Sequence, residues 1–212
     1  MIVTEAVSSY LDGLRDAPDA VLAEMEAHAS RDGIPIVVPE TGALLNVLAL
    51  ACGARRIVEV GTAIGVSTLY LARALPPDGV VVSFEIDEQR HTAARDYLQR
   101  AGVLERADLR LQDARAGLES LAGTFDMAFV DGVKSQYVDY VDLLLPLLRG
   151  GAVLAVDNAL MSGAVAEGRS DGHWSEEQIQ TARAFNERLL GHDQLTGAVT
   201  PVGDGVLVAV RR

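Results

Sequence analysis

The sequence is poor in cysteine, lysine and aromatic residues, and it contains no long apolar run. Cys52 is the sole cysteine, so an internal disulfide is excluded, and its apolar surroundings favour a small core residue over a nucleophile. The apolar runs fall short of the roughly 20 residues that span a bilayer. Residues 1–15 carry Glu5 and Asp12 and lack the basic start and apolar block of a secretory signal. We therefore expect a soluble, cytoplasmic protein that does not insert into membranes.

The net charge of −12 and the isoelectric point near 4.7 argue against a polyanionic partner. Recognition of nucleic acid generally needs a basic stripe, whereas the arginines of this chain are scattered. The four histidines are also dispersed, and no His/Cys spacing typical of a zinc site is present. The composition therefore disfavours nucleic acid as a partner and zinc as a cofactor.

The length of the chain favours one α/β domain over residues 1–212 instead of two small ones. The hydrophobic share of 49% is enough to form a packed core. Residues 1–53 are predicted to be helical at Val3–Leu14, Ala20–Ser30 and Thr41–Cys52. Over residues 54–212, short β-rich runs alternate with helical patterns. The predicted strands are Arg56–Val60, Val80–Phe84, Asp108–Leu111, Met127–Val130 and Ala152–Val156, and the predicted helices are Ser67–Leu75, Glu88–Ala101, Ala114–Leu121, Tyr137–Leu148 and Ser175–Leu190.

This alternation predicts right-handed crossovers and a parallel sheet with helices on both faces. The tail differs, since Gln194–Pro201 and Val206–Arg211 are joined by Gly203-Asp204-Gly205, a hairpin signal. We therefore predict a mostly parallel, seven-stranded sheet closed by a C-terminal antiparallel hairpin. Ligands of open parallel sheets bind beyond the carboxyl ends of the strands, so the residues that follow each strand are the functional candidates.

A glycine-containing turn, Glu59–Ser67, follows the first predicted strand. Gly61 and Gly65 let the backbone turn tightly and approach a ligand, and Ser67 is a candidate N-cap of the next helix. The G-x-x-x-G spacing differs from the G-x-G-x-x-G pattern of a pyrophosphate cradle. Glu59 would repel a pyrophosphate and suits a cationic amino-acid ligand. A plain turn without a ligand is the alternative interpretation.

Two more acids follow predicted strands. Glu85 ends the second strand, where a carboxylate can accept hydrogen bonds from both ribose hydroxyls of a cofactor, although it could also be a surface acid. Asp113 and Ala114 follow the third strand, where they would lie beside an adenine. Asp113 suits the N-cap of the following helix equally well, and both interpretations remain open.

Several motifs resemble, in order and spacing, those of the caffeoyl-CoA and catechol O-methyltransferase family. The resemblance runs from about Ile36 to the end of the chain. It implies a Rossmann-like class I methyltransferase fold, S-adenosylmethionine as the cofactor and a homodimer. The matching segments are V-E-V-G-T-A-I-G-V-S-T-L-Y-L-A around Gly61, F-E-I-D at Phe84–Asp87, F-V-D-G-V-K at Phe129–Lys134, L-L-P-L-L-R-G-G-A-V-L-A-V-D-N at Leu144–Asn158, F-N at Phe185–Asn186 and P-V-G-D-G-V at Pro201–Val206.

The resemblance also implies roles for individual residues. Glu59, Gly61 and Ser67 match positions that hold the methionine part of the cofactor, and Glu85 matches the ribose acid. Ala114 matches a neighbour of the adenine, and Val37 matches a loop residue that covers the cofactor. The predicted cofactor-binding set is Val37, Glu59, Gly61, Thr62, Ala63, Ser67, Glu85, Asp113, Ala114 and Asp131.

Three oxygen ligands follow neighbouring predicted strands: Asp131 after the fourth, and Asp157 and Asn158 after the fifth. Two carboxylates and an amide suit Mg²⁺ and leave coordination sites for two substrate oxygens, although each residue alone could be a turn or cap residue. Lys134, three residues after Asp131, resembles the general base of the family. A chelated hydroxyl loses its proton more readily, and a lysine beside a divalent cation can accept that proton. Lys134 and Asp131 are therefore the predicted catalytic pair, and Asp131, Asp157 and Asn158 the predicted metal ligands.

The acceptor side departs from the family at several positions. Val133 replaces an acid found in many relatives. Met161 and Ser162 occupy positions that contact the substrate in relatives. An aromatic residue is common at the position of Met161. Residues 164–176 are predicted to form a mobile loop over the acceptor. Trp174 in this loop could stack on a planar ring of the acceptor, or it could pack the loop onto the body of the protein. The predicted substrate residues are thus Met161, Ser162 and Trp174.

We therefore predict a magnesium-dependent O-methyltransferase that acts on a hydroxyl of a small catechol-like or phenolic acceptor. One alternative is a methyltransferase of the same fold that modifies a uridine in tRNA, which the negative net charge disfavours. A second is an NAD-dependent oxidoreductase, which the missing G-x-G-x-x-G pattern and Glu59 disfavour. A third is a binding protein without catalysis, which the intact set of Asp131, Lys134, Asp157 and Asn158 disfavours.

Overall fold

The structure, a computed structural model, describes residues 4–170 and 172–212. Val3, in the first predicted helix, and Asp171, in the predicted loop, lie outside the described residues. The helices are α1 (Glu5–Leu14), α2 (Ala20–Asp32), α3 (Pro39–Ala51), α4 (Val66–Ala74), α5 (Glu88–Arg100), α6 (Ala114–Glu119), α7 (Tyr137–Leu144), α8 (Ala164–Glu167) and α9 (Glu176–Leu190). The strands are β1 (Arg56–Val60), β2 (Val80–Glu85), β3 (Ala107–Leu111), β4 (Phe125–Val130), β5 (Leu148–Val156), β6 (Leu195–Thr200) and β7 (Val206–Arg211).

Within the described residues, the strands form one seven-stranded sheet in the order β3-β2-β1-β4-β5-β7-β6. Neighbouring strands from β3 to β5 are parallel, whereas β7 runs antiparallel to both β5 and β6. This arrangement confirms the predicted mostly parallel sheet with a C-terminal hairpin.

The register of the sheet brings the candidate residues to one edge. Val60, the last residue of β1, pairs with Phe84 on one side and with Val130 on the other. Val130 in turn pairs with Val156. Because these four strands end level with one another, the residues that follow them share the carboxyl edge of the sheet.

The core fills both faces of the sheet, because neighbouring strand residues point to opposite sides. Val58 packs with residues of α6, α7 and α9, whereas Ile57 packs with residues of α2 to α5. Both side chains are fully buried, and each such burial stabilises the fold by about 1.5–3 kcal/mol. The predicted layers of helices on both faces are therefore confirmed.

Four local predictions need correction. The helix predicted over Tyr137–Leu148 ends at Leu144, because Pro146 has no N–H to continue it, and Leu148 already belongs to β5. Gly65, in the left-handed conformation, is the N-cap of α4 in place of Ser67. Cys52 is half-buried at the end of α3, so it packs against the edge of the core instead of lying inside it.

The fourth correction concerns the loop predicted over residues 164–176. Its first residues form the short helix α8, and Ala164 and Val165 pack with Met161 and with Ile179 of α9. Among the described helices, none is both long enough and apolar enough to cross a membrane.

Candidate active site

The turn after β1 approaches the end of β4 so closely that only glycine fits. Gly61 has φ +96°, and a Cβ at this position would lie 2.1 Å from the carbonyl oxygen of Asp131. The N–H groups of Gly61 and Thr62 donate to the carbonyl of Phe84, at 3.2 and 3.1 Å. The glycine therefore lets three strand ends converge on one cavity.

This cavity, named the turn cavity, has a volume of about 370 Å³ and lies beyond the ends of β1, β2 and β4. The predicted cofactor residues other than Glu59 all line it. They are Val37, Gly61, Thr62, Ala63, Ser67, Glu85, Asp113, Ala114 and Asp131.

Glu85 holds the turn in place through its carboxylate. One oxygen accepts from the N–H of Ala63 at 2.7 Å, and the other accepts from the N–H groups of Ile86 and Asp87 at 2.8 and 2.9 Å. The residue is 8% exposed and faces the turn cavity. A buried carboxylate at this place can accept hydrogen bonds from a ligand's hydroxyl groups.

Glu59 lies behind the wall of the turn cavity. It is fully buried, and its Oε2 accepts from the hydroxyls of Thr68 and Ser83. Burial raises the pKa of this carboxyl, although the hydroxyl groups of Ser83 and Thr68 partly oppose the shift. The geometry gives Glu59 a place in supporting the turn, while direct contact with a cofactor remains a prediction.

Asp113 has the capping role that the sequence left open, whereas its place beside an adenine stays a prediction. Its side chain accepts from the N–H groups of Arg115 and Ala116, so it is the N-cap of α6. It also lines the turn cavity next to Ala114. Capping therefore does not remove Asp113 from the cavity wall.

Asp131 and Lys134 form an ion pair at the end of β4. The ammonium nitrogen of Lys134 lies 2.7 Å from Asp131 Oδ1 in the short 3₁₀ turn that precedes α7. The same nitrogen lies 5.2 Å from the centroid of the Tyr137 ring. Both side chains are about a quarter exposed, so they remain accessible from the cavities around them.

Asp157 and Asn158 follow β5 and present oxygen atoms that lack partners. Asp157 Oδ1 and Asn158 Oδ1 are buried, and neither has a hydrogen-bond partner among the described residues. The pKa of Asp157 is raised from 3.8 to about 7, mainly by burial and to a smaller extent by the nearby negative charge of Asp131. Buried polar atoms without partners are costly, and these two are available to a ligand.

The predicted metal ligands are thus two carboxylates and one amide at adjacent strand ends. Within residues 4–170 and 172–212, no group of three or more His, Cys, Asp or Glu side chains could hold a metal ion. The unpaired oxygens of Asp157 and Asn158 and the like-charge effect of Asp131 on Asp157 nevertheless suit a hard cation.

Two further cavities border these residues. The inner cavity, about 220 Å³, lies beneath α9 and is lined by Asp157, Asn158 and Met161 together with Phe185 and Asn186. The outer cavity, about 360 Å³, lies beneath Val37 and is lined by Asp131, Asp157, Asn158, Trp174 and Asp204. Lys134 lines the turn, inner and outer cavities alike.

The three predicted substrate residues do not line one common cavity. Met161 is 2% exposed and lines the inner cavity, whereas Trp174 lines the outer cavity. Ser162 is exposed, and its hydroxyl donates to Asp204 Oδ1 at 2.6 Å. Ser162 therefore supports the loop that carries Met161 and belongs to neither described cavity lining.

Sequence reasoning assigned no role to Tyr137, Asn186 or Asp204, which the structure places at the site. The Tyr137 hydroxyl and Asn186 Oδ1 are buried without hydrogen-bond partners among the described residues, and both side chains line the inner cavity. Burial and the charges of Asp131 and Asp157 raise the pKa of Tyr137 well above its ordinary value. The F-N and P-V-G-D-G-V motifs were the signals for Asn186 and Asp204, since the sequence analysis gave neither side chain a role in the site.

Comparisons with known proteins agree with this geometry. The O-methyltransferase family matches residues 17–212. A catechol O-methyltransferase of Niastella koreensis is 34% identical over 193 residues, which cover 88% of this chain and 86% of that protein. The crystal structure of the O-methyltransferase TomG from Streptomyces achromogenes, in complex with SAM, has a TM-score of 0.85 and 32% identity and covers 99% of both chains.

An O-methyltransferase from Bacillus cereus, in complex with SAH, has the same TM-score of 0.85 at 29% identity, with coverage of 98% of this chain and 97% of that one. The extent of these matches agrees with the motifs found in the sequence. The chain therefore belongs to the O-methyltransferase family, within the S-adenosylmethionine-dependent catechol and caffeoyl-CoA group that its motifs resemble.

Proposed function

We propose that this enzyme transfers a methyl group from S-adenosylmethionine to a hydroxyl of a small catechol-like acceptor, with the help of Mg²⁺. The observation that carries the proposal is the meeting of three cavities at Lys134, next to Asp131, Asp157 and Asn158. The turn cavity suits the methyl donor, and the inner and outer cavities suit the acceptor. Lys134 then lies where donor and acceptor would meet.

Two structures support the assignment of the turn cavity. TomG and the Bacillus cereus enzyme are bound to SAM and SAH, respectively, and both match nearly the whole chain. In this protein, Glu85 lines the cavity at the end of β2, where its carboxylate suits ribose hydroxyls. We therefore place the donor over Gly61, with its ribose toward Glu85.

Asp131, Asp157 and Asn158 would hold the cation. Their oxygen atoms match the preference of Mg²⁺, and the set leaves sites for acceptor oxygens. A bound Mg²⁺ supplies positive charge that stabilises the ionised form of an acceptor hydroxyl. Positive charge at this point would also relieve the repulsion between Asp131 and Asp157, which contributes to the raised pKa of Asp157.

Lys134 is the proposed general base. In this structure the side-chain nitrogen of Lys134 lies 2.7 Å from Asp131 Oδ1. Where Asp131 would help to hold a cation, Lys134 would be placed to accept the proton of the acceptor hydroxyl. The acceptor oxygen then bonds to the methyl carbon, the carbon–sulfur bond breaks, and S-adenosylhomocysteine leaves.

The charges around the acceptor cavities favour a small molecule. Asp131, Asp157 and Asp204 line the outer cavity, and Glu177 lines the inner one. These carboxylates would repel the phosphates of a tRNA, so the tRNA alternative gains no support from this surface. A neutral catechol has two adjacent oxygens for chelation and avoids that repulsion.

The proposal is tested by an acceptor panel with labelled S-adenosylmethionine. Catechol should be methylated with Mg²⁺ present, whereas phenol and 1,3-dihydroxybenzene, which cannot chelate through adjacent oxygens, should react at least tenfold more slowly. A chelator should remove the catechol activity, and excess Mg²⁺ should restore it. Undiminished activity in the chelator, or equal rates for the three phenols, would contradict the proposal.

A further inference from the structure

The turn between β6 and β7 touches the proposed cation site from outside the parallel part of the sheet. This turn carries the P-V-G-D-G-V motif, whose glycines suit a hairpin turn but whose Asp204 side chain has no role in the hairpin itself or in the proposed reaction. Asp204, in the middle of the motif, lies 46 residues along the chain from Asn158, yet the two side chains are in contact. The contact therefore depends on the tertiary fold.

Asp204 binds the segment after β5 through both its side chain and its backbone. Its Oδ2 accepts from Asn158 Nδ2 at 3.3 Å, and its Oδ1 accepts from the Ser162 hydroxyl at 2.6 Å. The carbonyl of Asp204 accepts from the N–H of Leu160 at 2.9 Å, and the carbonyl of Gly205 accepts from the N–H of Ala159 at 2.8 Å. Four hydrogen bonds thus connect the hairpin turn with residues 158–162.

These bonds hold a backbone that is otherwise unfavourable. Asn158, Met161 and Ser162 have φ values of +60°, +46° and +54°, a region that non-glycine residues seldom adopt. Such conformations persist only where the surrounding structure determines them. The turn also packs closely, since a Cβ on Gly205 would lie 2.5 Å from Leu160 Cγ.

The contact with Asp204 also sets which end of the Asn158 carboxamide faces the site. A carboxamide has an NH₂ donor at one end and an oxygen acceptor at the other. Because the NH₂ group donates to the Asp204 carboxylate, which cannot donate in return, the oxygen is directed away from Asp204. That oxygen is buried and has no hydrogen-bond partner among the described residues.

We propose that Asp204 is a positioning residue that orients the Asn158 oxygen toward the cation and fixes the loop of residues 158–162. The inference rests on the proposed function, because it assumes that Asn158 is a metal ligand. Partners of ligand side chains commonly control metal affinity by fixing the ligand's orientation. Asp204 would act in this way from the hairpin, without binding the acceptor hydroxyl.

Two variants separate orientation from charge. Asp204→Ala removes both acceptor oxygens, so the Asn158 carboxamide is free to rotate. Asp204→Asn removes the charge but keeps an oxygen for Asn158, because its NH₂ group can face the Ser162 hydroxyl, which accepts as well as donates. Glu105→Gln removes one charge from an exposed residue of the same chain and is the matched control.

The test measures the Mn²⁺ affinity of the whole protein. The electron paramagnetic resonance signal of the free ion reports how much Mn²⁺ remains unbound. Asp204→Ala should weaken binding about 10- to 100-fold, the range for lost partners of metal ligands. Asp204→Asn should bind more like the wild type than like Asp204→Ala, and Glu105→Gln should match the wild type. Circular dichroism and binding of S-adenosylhomocysteine would verify that each variant is folded.

Three results would contradict either the role of Asp204 or the metal site itself. Equal affinity in Asp204→Ala and the wild type would overturn the inference and leave the proposed function intact. Equal weakening in Asp204→Asn and Asp204→Ala would also overturn it, since charge alone would then explain the effect. A wild-type protein that binds no Mn²⁺ would instead contradict the proposed metal site.

Discussion

Replacing Lys134 with alanine should lower kcat about 100- to 10,000-fold, the usual contribution of a general base. Lys134 is the only lysine of the chain and lies where the three cavities meet, so no other lysine can replace it. The remaining activity of Lys134→Ala should increase with pH, because the acceptor hydroxyl then loses its proton to solvent. Initial rates at saturating donor, acceptor and Mg²⁺ measure this effect.

Lys134→Arg is the matched control for charge. Arginine keeps the positive charge opposite Asp131, but it cannot give up its proton in a protein. Its kcat should therefore fall nearly as far as that of Lys134→Ala, while the affinity for S-adenosylmethionine stays within a few-fold of the wild type. Near-normal turnover of Lys134→Arg would show that charge, and not proton transfer, is what this position supplies.

Asp157→Asn should affect stability and cation binding in opposite directions. Burial and the neighbouring charge of Asp131 raise the pKa of Asp157 to about 7. For a carboxyl whose pKa is raised by folding, stability is lost as the pH increases from the unfolded value of 3.8 through about 7. At pH 8 the metal-free Asp157→Asn protein should therefore have a higher Tm than the metal-free wild type, and the difference should vanish near pH 3.

The same substitution should remove most of the divalent-cation affinity, and with it the catechol activity at low Mg²⁺. A carboxamide keeps the size of the side chain but lacks the negative charge that attracts a hard cation. Thermal melts with and without Mg²⁺ measure both effects on one sample. An unchanged increase of Tm with Mg²⁺ in Asp157→Asn would contradict the role of Asp157 as a ligand.

Asp126, at the opposite end of β4, provides the control. Burial would raise its pKa, but hydrogen bonds from the Arg149 side chain and from the N–H groups of Arg55 and Arg56 outweigh burial and lower it. Its stabilisation is thus present above the unfolded pKa of 3.8 and is lost as the pH falls through the lower folded value. Asp126→Asn should accordingly lower the Tm at pH 8, with no change in cation affinity.

The sequence predicted the parallel sheet and the shared edge of its candidate residues because both depend on local patterns. Apolar runs marked the strands, and polar residues followed them at Glu85, Asp131 and Asp157. The paired registers of Val60, Phe84, Val130 and Val156 then bring those residues to one level. Topology of this kind needs no knowledge of side-chain contacts.

Contacts between distant segments could not be predicted from such patterns. The hydroxyls that bind Glu59 come from Thr68 on α4 and Ser83 on β2, and no local signal links them. The bond between Asp204 and Asn158 joins the hairpin to the end of β5 in the same way. The error at the end of α7 had a local cause, because the apolar pattern of a helix continued through Pro146 into β5.

We propose that Asp131, Asp157 and Asn158 bind one divalent cation beside Lys134 and the methyl donor. A crystal structure with Mn²⁺ and S-adenosylhomocysteine, recorded with anomalous scattering from manganese, tests it most directly. We expect one anomalous peak within bonding distance of a carboxylate oxygen of Asp131, a carboxylate oxygen of Asp157 and Asn158 Oδ1. Full S-adenosylhomocysteine density without a manganese peak among those three side chains would contradict it.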